Sequence, residues 1–257
     1  MSGVGIGFTV AGVALGVHVF AGVLQHLFAR RDRAGNQDKA LVIFVESIRW
    51  LGVAWGKRTV AAGLRDAGFG GEFLYWPWHS TWRGWLVLPA IMDRRMLEKR
   101  STELSEFIAA CKRSKPDRPI YVIGYSCGAF VALRALELLK GGVTVEGAAF
   151  LAGAISPNHD LTTAAAAVRG PMVSSSSVAD WLIAGIGTCI FGTADRKHAP
   201  AAGMVGLHGP GSEILTHVSW HPLYARFGHW GGHFAASGRG YVANIIAPAL
   251  GLAQQAH

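Results

Sequence analysis

Ser126 is the residue whose sequence setting most directly suggests chemistry. It lies at the centre of a G-x-S-x-G motif, Gly124-Tyr-Ser-Cys-Gly128. Glycines two residues before and after a serine permit a sharp turn that leaves no room for side chains and strains the serine backbone. At the start of a helix, backbone N–H groups and the helix dipole would also stabilise a developing oxyanion. The motif therefore predicts a serine nucleophile.

The residues around the motif predict the strand and helix that such a turn requires. Residues 120–123 are a short β-branched and aromatic run, typical of a buried strand. From Phe130 to Leu139 the apolar residues recur with helical spacing. Because a strand runs into a helix through Ser126, we interpret the motif as the turn that carries a nucleophile. The alternative is an ordinary tight loop that needs two glycines.

The rest of the chain alternates predicted strands and helices from Lys39 onward. Strands are expected at residues 41–45, 72–76, 143–151, 172–178 and 214–220, and helices at residues 56–67, 94–113 and 241–252. Asp93 is the expected N-cap of the second of these helices. Strands separated by helices indicate βαβ units, so we predict an α/β fold with a mostly parallel sheet flanked by helices. Its site would lie at the C-terminal ends of the strands.

This order of elements, the G-x-S-x-G motif and a late histidine-bearing loop resemble the α/β-hydrolase superfamily over residues 39–255. The resemblance implies a serine hydrolase whose triad follows the chain order Ser, Asp or Glu, His. It makes Asp180 the predicted acid, because Asp180 follows the second strand after Ser126, with Asp195 as the alternate. Asp180 could instead serve only as the N-cap of a helix beginning at Trp181. The family's N-terminal strand pair is not evident, so a reduced sheet is expected.

The predicted base lies in the segment Gly228-His-Trp-Gly-Gly-His-Phe234. The resemblance favours His233, which is nearer the last helix, and leaves His229 as the alternate. These two histidines have H-x-x-x-H spacing, which on a helix could bind zinc. The glycines between them oppose a helix, so no metal and no other cofactor is predicted.

An acyl-transfer site also needs N–H donors for the oxyanion. The backbone N–H of Cys127, directly after the nucleophile, is the first predicted donor. By resemblance the second comes from the loop after an early strand, where Ser47 is predicted and Ile48 is the alternative. The Cys127 thiol is one position away from the apex of the turn and is not predicted to be the nucleophile.

The N-terminal segment differs from the rest of the chain. Residues 4–27 carry no formal charge, and the basic run Arg30-Arg-Asp-Arg33 follows. The length and the flanking charge predict a membrane-anchor-like helix over residues 1–33, with a hydrolase domain over residues 39–257 on the cytoplasmic side. A signal peptide and a helix packed on the domain stay open as alternatives.

Composition narrows the class of partner. The net charge is +8, but lysine and arginine are scattered rather than gathered on one face, so no nucleic-acid partner is predicted. We expect a small-molecule acyl ester or lipid substrate and association with a membrane. The lipid expectation rests on the N-terminal segment, the positive charge and a tryptophan-rich stretch with Trp76, Trp78, Trp82 and Trp85. The alternative function is a catalytically silent, membrane-associated binding protein of the same fold.

Overall fold

The computed structural model describes residues 33–47, 54–78 and 93–253. A seven-stranded sheet, in the order β1-β3-β2-β4-β5-β6-β7, forms its centre. The strands are β1 (Arg33–Ala34), β2 (Asn36–Val45), β3 (Gly71–Trp76), β4 (Ile120–Tyr125), β5 (Gly147–Leu151), β6 (Met172–Ser176) and β7 (Leu215–Ser219). Strands β2 to β7 pair in parallel, and the two-residue β1 pairs antiparallel with β3. The mostly parallel sheet predicted from the sequence is therefore confirmed.

Helices flank this sheet. They are α1 (Trp55–Asp66), α2 (Arg94–Ser114), α3 (Cys127–Glu137), α4 (Thr162–Ala166) and α6 (Ala202–Val205), with α5 formed by a π-helix (Trp181–Gly187) and an α-helix (Thr188–Phe191). The closing helix α7 runs through Arg239–Tyr241, Val242–Ile246 and Ala247–Ala249, with a π-helical middle. The predicted N-cap of α2 is confirmed, because the Asp93 side chain accepts a hydrogen bond from the Met96 N–H at 3.1 Å.

Two apolar cores cover the two faces of the sheet, and β2 shows how the sequence divides between them. Leu41, Ile43 and Val45 belong to the core that includes α2 and α3. Val42 and Phe44 belong to the core that includes α1 and α7. Successive strand residues point to opposite faces. A strand covered on both faces therefore reads as an unbroken apolar run.

The described tryptophans of the Trp-rich stretch are core residues. Trp76 and Trp78 are 1% and 0% exposed, and the Trp78 indole N–H donates to the Glu46 carbonyl at 2.7 Å. Both belong to the core that includes α2 and α3. Trp82 and Trp85 lie outside the described residues.

The predicted anchor over residues 1–33 lies outside the described residues, apart from Arg33 in β1. Within the part of the chain that the structure describes, every helix is too short or too polar to cross a bilayer.

Candidate active site

Ser126 occupies the turn between β4 and α3 in a strained backbone conformation. Its φ is 56° and its ψ is −121°, which residues with a side chain rarely adopt. The serine N–H donates to the Leu151 carbonyl at 2.8 Å, and the serine carbonyl accepts from the Ala154 N–H at 3.1 Å. These bonds to the end of β5 and the loop after it hold the turn. The strained turn predicted from the motif is confirmed.

The two glycines of the motif are required by close backbone contacts. A Cβ on Gly124 would lie 2.5 Å from the Ala129 Cα, inside the first turn of α3. A Cβ on Gly128 would lie 2.2 Å from the Glu46 carbonyl oxygen, at the end of β2. The N-terminus of α3 therefore packs directly against the neighbouring strand end, which only glycine allows.

His233, at the start of a short 3-10 helix (His233–Ser237), and Asp180, in the turn before α5, both reach Ser126. The His233 Nε2 lies 2.8 Å from the Ser126 Oγ, and the His233 Nδ1 lies 2.6 Å from the Asp180 Oδ2. All three residues are buried, with 4%, 5% and 3% exposure for His233, Ser126 and Asp180. They follow β7, β4 and β6, whose C-terminal ends share one edge of the parallel sheet. The structure thus brings the predicted serine, histidine and aspartate together in the order of a nucleophile, a base and an orienting acid.

The central strand of the parallel sheet turns through a strained serine into a helix, and the acid and the histidine follow later in the chain. These features define the fold. It is the α/β-hydrolase fold.

Comparisons with known proteins found matches among solved structures, two of which are described here. No protein-family model matches the chain, and no curated protein matches it. A dienelactone hydrolase-like promiscuous phosphotriesterase from metagenomic libraries is 13% identical, with a TM-score of 0.43, covering 85% of this chain and 87% of that one. The NocB thioesterase domain, in covalent complex with a fluorophosphonate nocardicin G analog, is 14% identical with a TM-score of 0.37, covering 83% of this chain and 95% of that one. The fold assignment rests on the chain's own strand order and serine turn.

Asp180 serves two purposes at once. Its Oδ2 contacts His233, while its Oδ1 accepts a hydrogen bond from the Ala184 N–H at 3.3 Å. Asp180 is thus also the N-cap of α5. The two interpretations of Asp180 that the sequence left open are compatible, because each uses a different carboxylate oxygen.

Tyr125 holds the backbone of His233 and was not predicted as a site residue. Its hydroxyl donates to the His233 carbonyl at 3.1 Å, and the two rings lie 5.4 Å apart. Burial raises the pKa of Tyr125 well above its usual value, so the hydroxyl keeps its proton and remains a donor. An aromatic residue at the end of a buried strand indicates only core packing, so the sequence contains no signal for this contact.

The alternate base, His229, lies outside this hydrogen-bonded line. Its Nδ1 accepts from the Gly231 N–H at 3.0 Å, and its ring packs edge-on against Tyr241 at 4.4 Å. Burial lowers the pKa of His229 to about 4, so the ring is neutral at physiological pH. His229 therefore shapes the loop that carries His233.

The alternate acid, Asp195, is also used elsewhere. Its carboxylate accepts from the Ser156 N–H at 2.9 Å, from the Ser156 hydroxyl at 2.5 Å and from the Thr193 hydroxyl at 2.6 Å. It also contacts His159 Nδ1 at 3.2 Å. These partners keep Asp195 in a separate cluster, next to the loop that follows β5.

Of the two predicted oxyanion donors, the Cys127 N–H stays available and the Ser47 N–H does not. Cys127 is the first residue of α3, where an N–H has no acceptor within its own helix. The Ser47 N–H instead donates to the Glu46 Oε1 at 2.9 Å. The adjacent buried carboxylate thus occupies the amide that was predicted as the second donor, and the alternative, Ile48, lies outside the described residues. The Ser47 hydroxyl is buried and has no hydrogen-bond partner among the described residues.

The Cys127 thiol is buried beside the nucleophile. Cys127 is 2% exposed, and burial raises the pKa of its thiol to about 12, so it carries no thiolate at neutral pH. In residues 33–47, 54–78 and 93–253, no three His, Cys, Asp or Glu side chains gather where they could hold a metal ion.

Proposed function

We propose that the protein is a serine hydrolase that cleaves carboxylic esters through an acyl-enzyme intermediate. One observation carries the proposal: Ser126, His233 and Asp180 form a continuous line of contacts at 2.8 Å and 2.6 Å, although they are far apart in the chain. A buried serine hydroxyl against an imidazole that is oriented by a carboxylate is the arrangement that activates serine as a nucleophile.

In the first half of the proposed reaction, the Ser126 Oγ attacks the ester carbonyl carbon while His233 Nε2 takes the serine proton. Asp180 accepts the hydrogen bond from His233 Nδ1–H and stabilises the imidazolium. The Cys127 N–H donates to the oxyanion of the tetrahedral intermediate. When the intermediate collapses, the bond to the leaving oxygen breaks, and His233 gives the alcohol its proton.

In the second half, a water molecule attacks the acyl carbon of the serine ester. His233 takes one proton from this water, and the new oxyanion again accepts from the Cys127 N–H. Collapse releases the carboxylic acid and returns the proton to the Ser126 Oγ. The cycle regenerates the enzyme and consumes one water for each ester.

The proposed substrate is lipid-like. Support comes from the uncharged residues 4–27 and from the net charge of +8. Trp76 and Trp78 no longer support a lipid-like substrate, because they are core residues. The same features support attachment to a membrane through residues 1–33 with the catalytic domain on the cytoplasmic side. This attachment remains a prediction from the sequence.

Labelling with a fluorophosphonate probe tests the proposed reaction. The purified full chain should become labelled on Ser126, located by mass spectrometry, and the Ser126→Ala variant should lose the label. Ser105→Ala is a matched control that should label normally, because Ser105 is equally buried, with 6% exposure against 5%, but lies on α2. Failure of the folded wild-type protein to react would contradict the proposal and favour the silent binding protein.

A further inference from the structure

Helix α5, which begins directly after Asp180, has an unusual outer surface. Leu182, Ile186 and Ile190 are spaced four residues apart and are 60%, 49% and 60% exposed. On the opposite side, Ala184 is buried, and its carbonyl accepts from the Ala201 N–H at 2.7 Å. Helices on the surface of a protein in water normally expose polar residues. Helix α5 instead presents an apolar face outward, which marks a surface that meets something other than water.

The apolar surface continues across the neighbouring loop. Val178, Trp181 and Trp230 are 69%, 56% and 76% exposed. The loops that carry them touch, because a Cβ on Gly231 would lie 2.7 Å from the Ala179 Cβ. We call the whole set the apolar rim: Val178, Trp181, Leu182, Ile186, Ile190 and Trp230. Since Asp180 and His233 lie on the same two loops, the apolar rim adjoins the candidate triad.

Positive charge lies at the far end of α5. No charged residue occurs in residues 181–194. Partly buried Asp195 comes next, and exposed Arg196, Lys197 and His198 follow it. The His198 Nδ1 lies 3.2 Å from the Cys189 carbonyl, which ties this basic tripeptide to the last turn of α5. An apolar face with exposed tryptophans and a cationic border matches the surface of an anionic bilayer, where apolar side chains enter the acyl region and cations meet the headgroups.

A second copy of the chain is a poorer match for the same surface. The protein carries a net charge of +8, so two copies repel each other, whereas an anionic bilayer attracts the chain. Charge complementarity therefore favours an anionic partner. The exposed tryptophans favour the interface between lipid and water, where tryptophan is enriched.

We propose that the apolar rim docks on an anionic lipid bilayer and that the triad then takes its ester substrate from that bilayer. The docking surface is separate from the predicted N-terminal anchor. The substrate class, an ester of a membrane lipid, rests on the proposed hydrolase function, whereas the docking itself does not.

An environment-sensitive label on the native Cys189 tests the docking. Cys189 is exposed on α5, so its thiol can carry a nitrobenzoxadiazole (NBD) fluorophore, with Cys111→Ser removing the other accessible thiol. The control places the label at Ile214→Cys in a Cys111→Ser, Cys189→Ser chain. Ile214 is 51% exposed but precedes the N-terminal end of β7, at the sheet edge opposite the triad.

With vesicles of phosphatidylglycerol, the emission at Cys189 should shift to the blue and be quenched by nitroxide-labelled lipid, while the label at residue 214 should not respond. Leu182→Asp together with Ile190→Asp should weaken this response about tenfold or more, because each substitution removes a large apolar side chain from the contact. A label at Cys189 that stays in water would refute the docking. An equal response to neutral phosphatidylcholine vesicles would refute the role of the cationic border.

Two further measurements are informative. The first distinguishes docking on lipid from coverage of the apolar rim by protein, and the second separates docking from catalysis. Blue-shifted emission before any vesicles are added would show that another segment or a second copy covers the rim, which contradicts the proposal. Ser126→Ala should dock like the wild-type chain, since docking needs no catalysis. A chain that reacts with the fluorophosphonate but does not dock refutes only the docking surface, and a chain that docks but does not react refutes only the hydrolase.

Discussion

Two histidines in this protein, one buried and one partly buried, each place a ring nitrogen against an aspartate, yet their surroundings suit them to different tasks. His233 Nδ1 lies 2.6 Å from Asp180, and His159 Nδ1 lies 3.2 Å from Asp195. The contact between histidine and aspartate is common to both. It cannot by itself distinguish a catalytic pair from a structural one.

The partner of the second ring nitrogen makes the difference. His233 Nε2 faces the Ser126 hydroxyl at 2.8 Å, whereas His159 Nε2 faces the Glu137 carboxylate at 2.7 Å. A hydroxyl can donate its proton to a neutral imidazole, so His233 is suited to act as a base. A carboxylate only accepts, so it requires a proton on the nitrogen that faces it.

His159 is therefore held in its charged form. Burial opposes the charge, but the hydrogen bonds to Asp195 and Glu137 outweigh it and raise the pKa of His159 to about 9. Arg134 extends the network, donating to Glu137 at 2.7 Å and to Glu98 at 3.0 Å. The ion pairs join α3, α2 and the loop after β5, which is a structural role.

The largest expected difference is between His233→Gln and His159→Gln. The first should lower kcat/KM for a short aryl ester by roughly 10⁴ to 10⁶, because it removes the base. The second should leave kcat/KM within about tenfold but lower the free energy of unfolding by roughly 2–4 kcal/mol, since two partly buried carboxylates lose their cation. Ester hydrolysis and urea unfolding measure the two effects. A large loss of activity in folded His159→Gln would break the distinction.

A smaller difference is expected between the two aspartates. Asp180→Asn should lower kcat by about 10³ to 10⁴, because an amide no longer stabilises the imidazolium or selects its tautomer. The fold should survive, since asparagine also caps helices. Asp195→Asn should keep kcat within a few-fold and cost roughly 1–3 kcal/mol of stability. Steady-state kinetics on both variants test this, and equal effects on kcat would contradict the assigned roles.

The smallest expected effect is on the pH dependence of stability. The pKa of His159 is about 9 in the folded protein and 6.5 ordinarily, so the folded state holds more protons between these values. Its contribution is full below pH 6.5 and is lost as the pH rises through about 9, an effect of up to about 3 kcal/mol.

Urea unfolding from about pH 6 to about pH 10 should show this fall in the wild-type protein. His159→Gln should show a flatter profile over the same window, because it has no proton to lose. Identical slopes in the two proteins would mean that His159 is not held as an imidazolium, and would remove the contrast with His233.

Much of the fold could be predicted because its signals are local. The strand, turn and helix around Ser126 depend on two glycines and on neighbouring apolar periodicity, and the structure confirms them. The alternation of strands and helices likewise indicated a parallel sheet. The strand expected at residues 143–151 begins only at Gly147, since boundaries depend on pairing with neighbouring strands.

The serine turn and the class of fold follow from the sequence alone, because both depend on residues close together in the chain. The sequence could only rank Asp180 against Asp195 and His233 against His229, since each alternative follows Ser126 in a similar polar loop. Tertiary structure selects the residues that meet, because the parallel order of β4, β6 and β7 brings particular loop ends to one edge. It also commits the Ser47 amide to a carboxylate, a contact that depends on how the backbone turns at the end of β2.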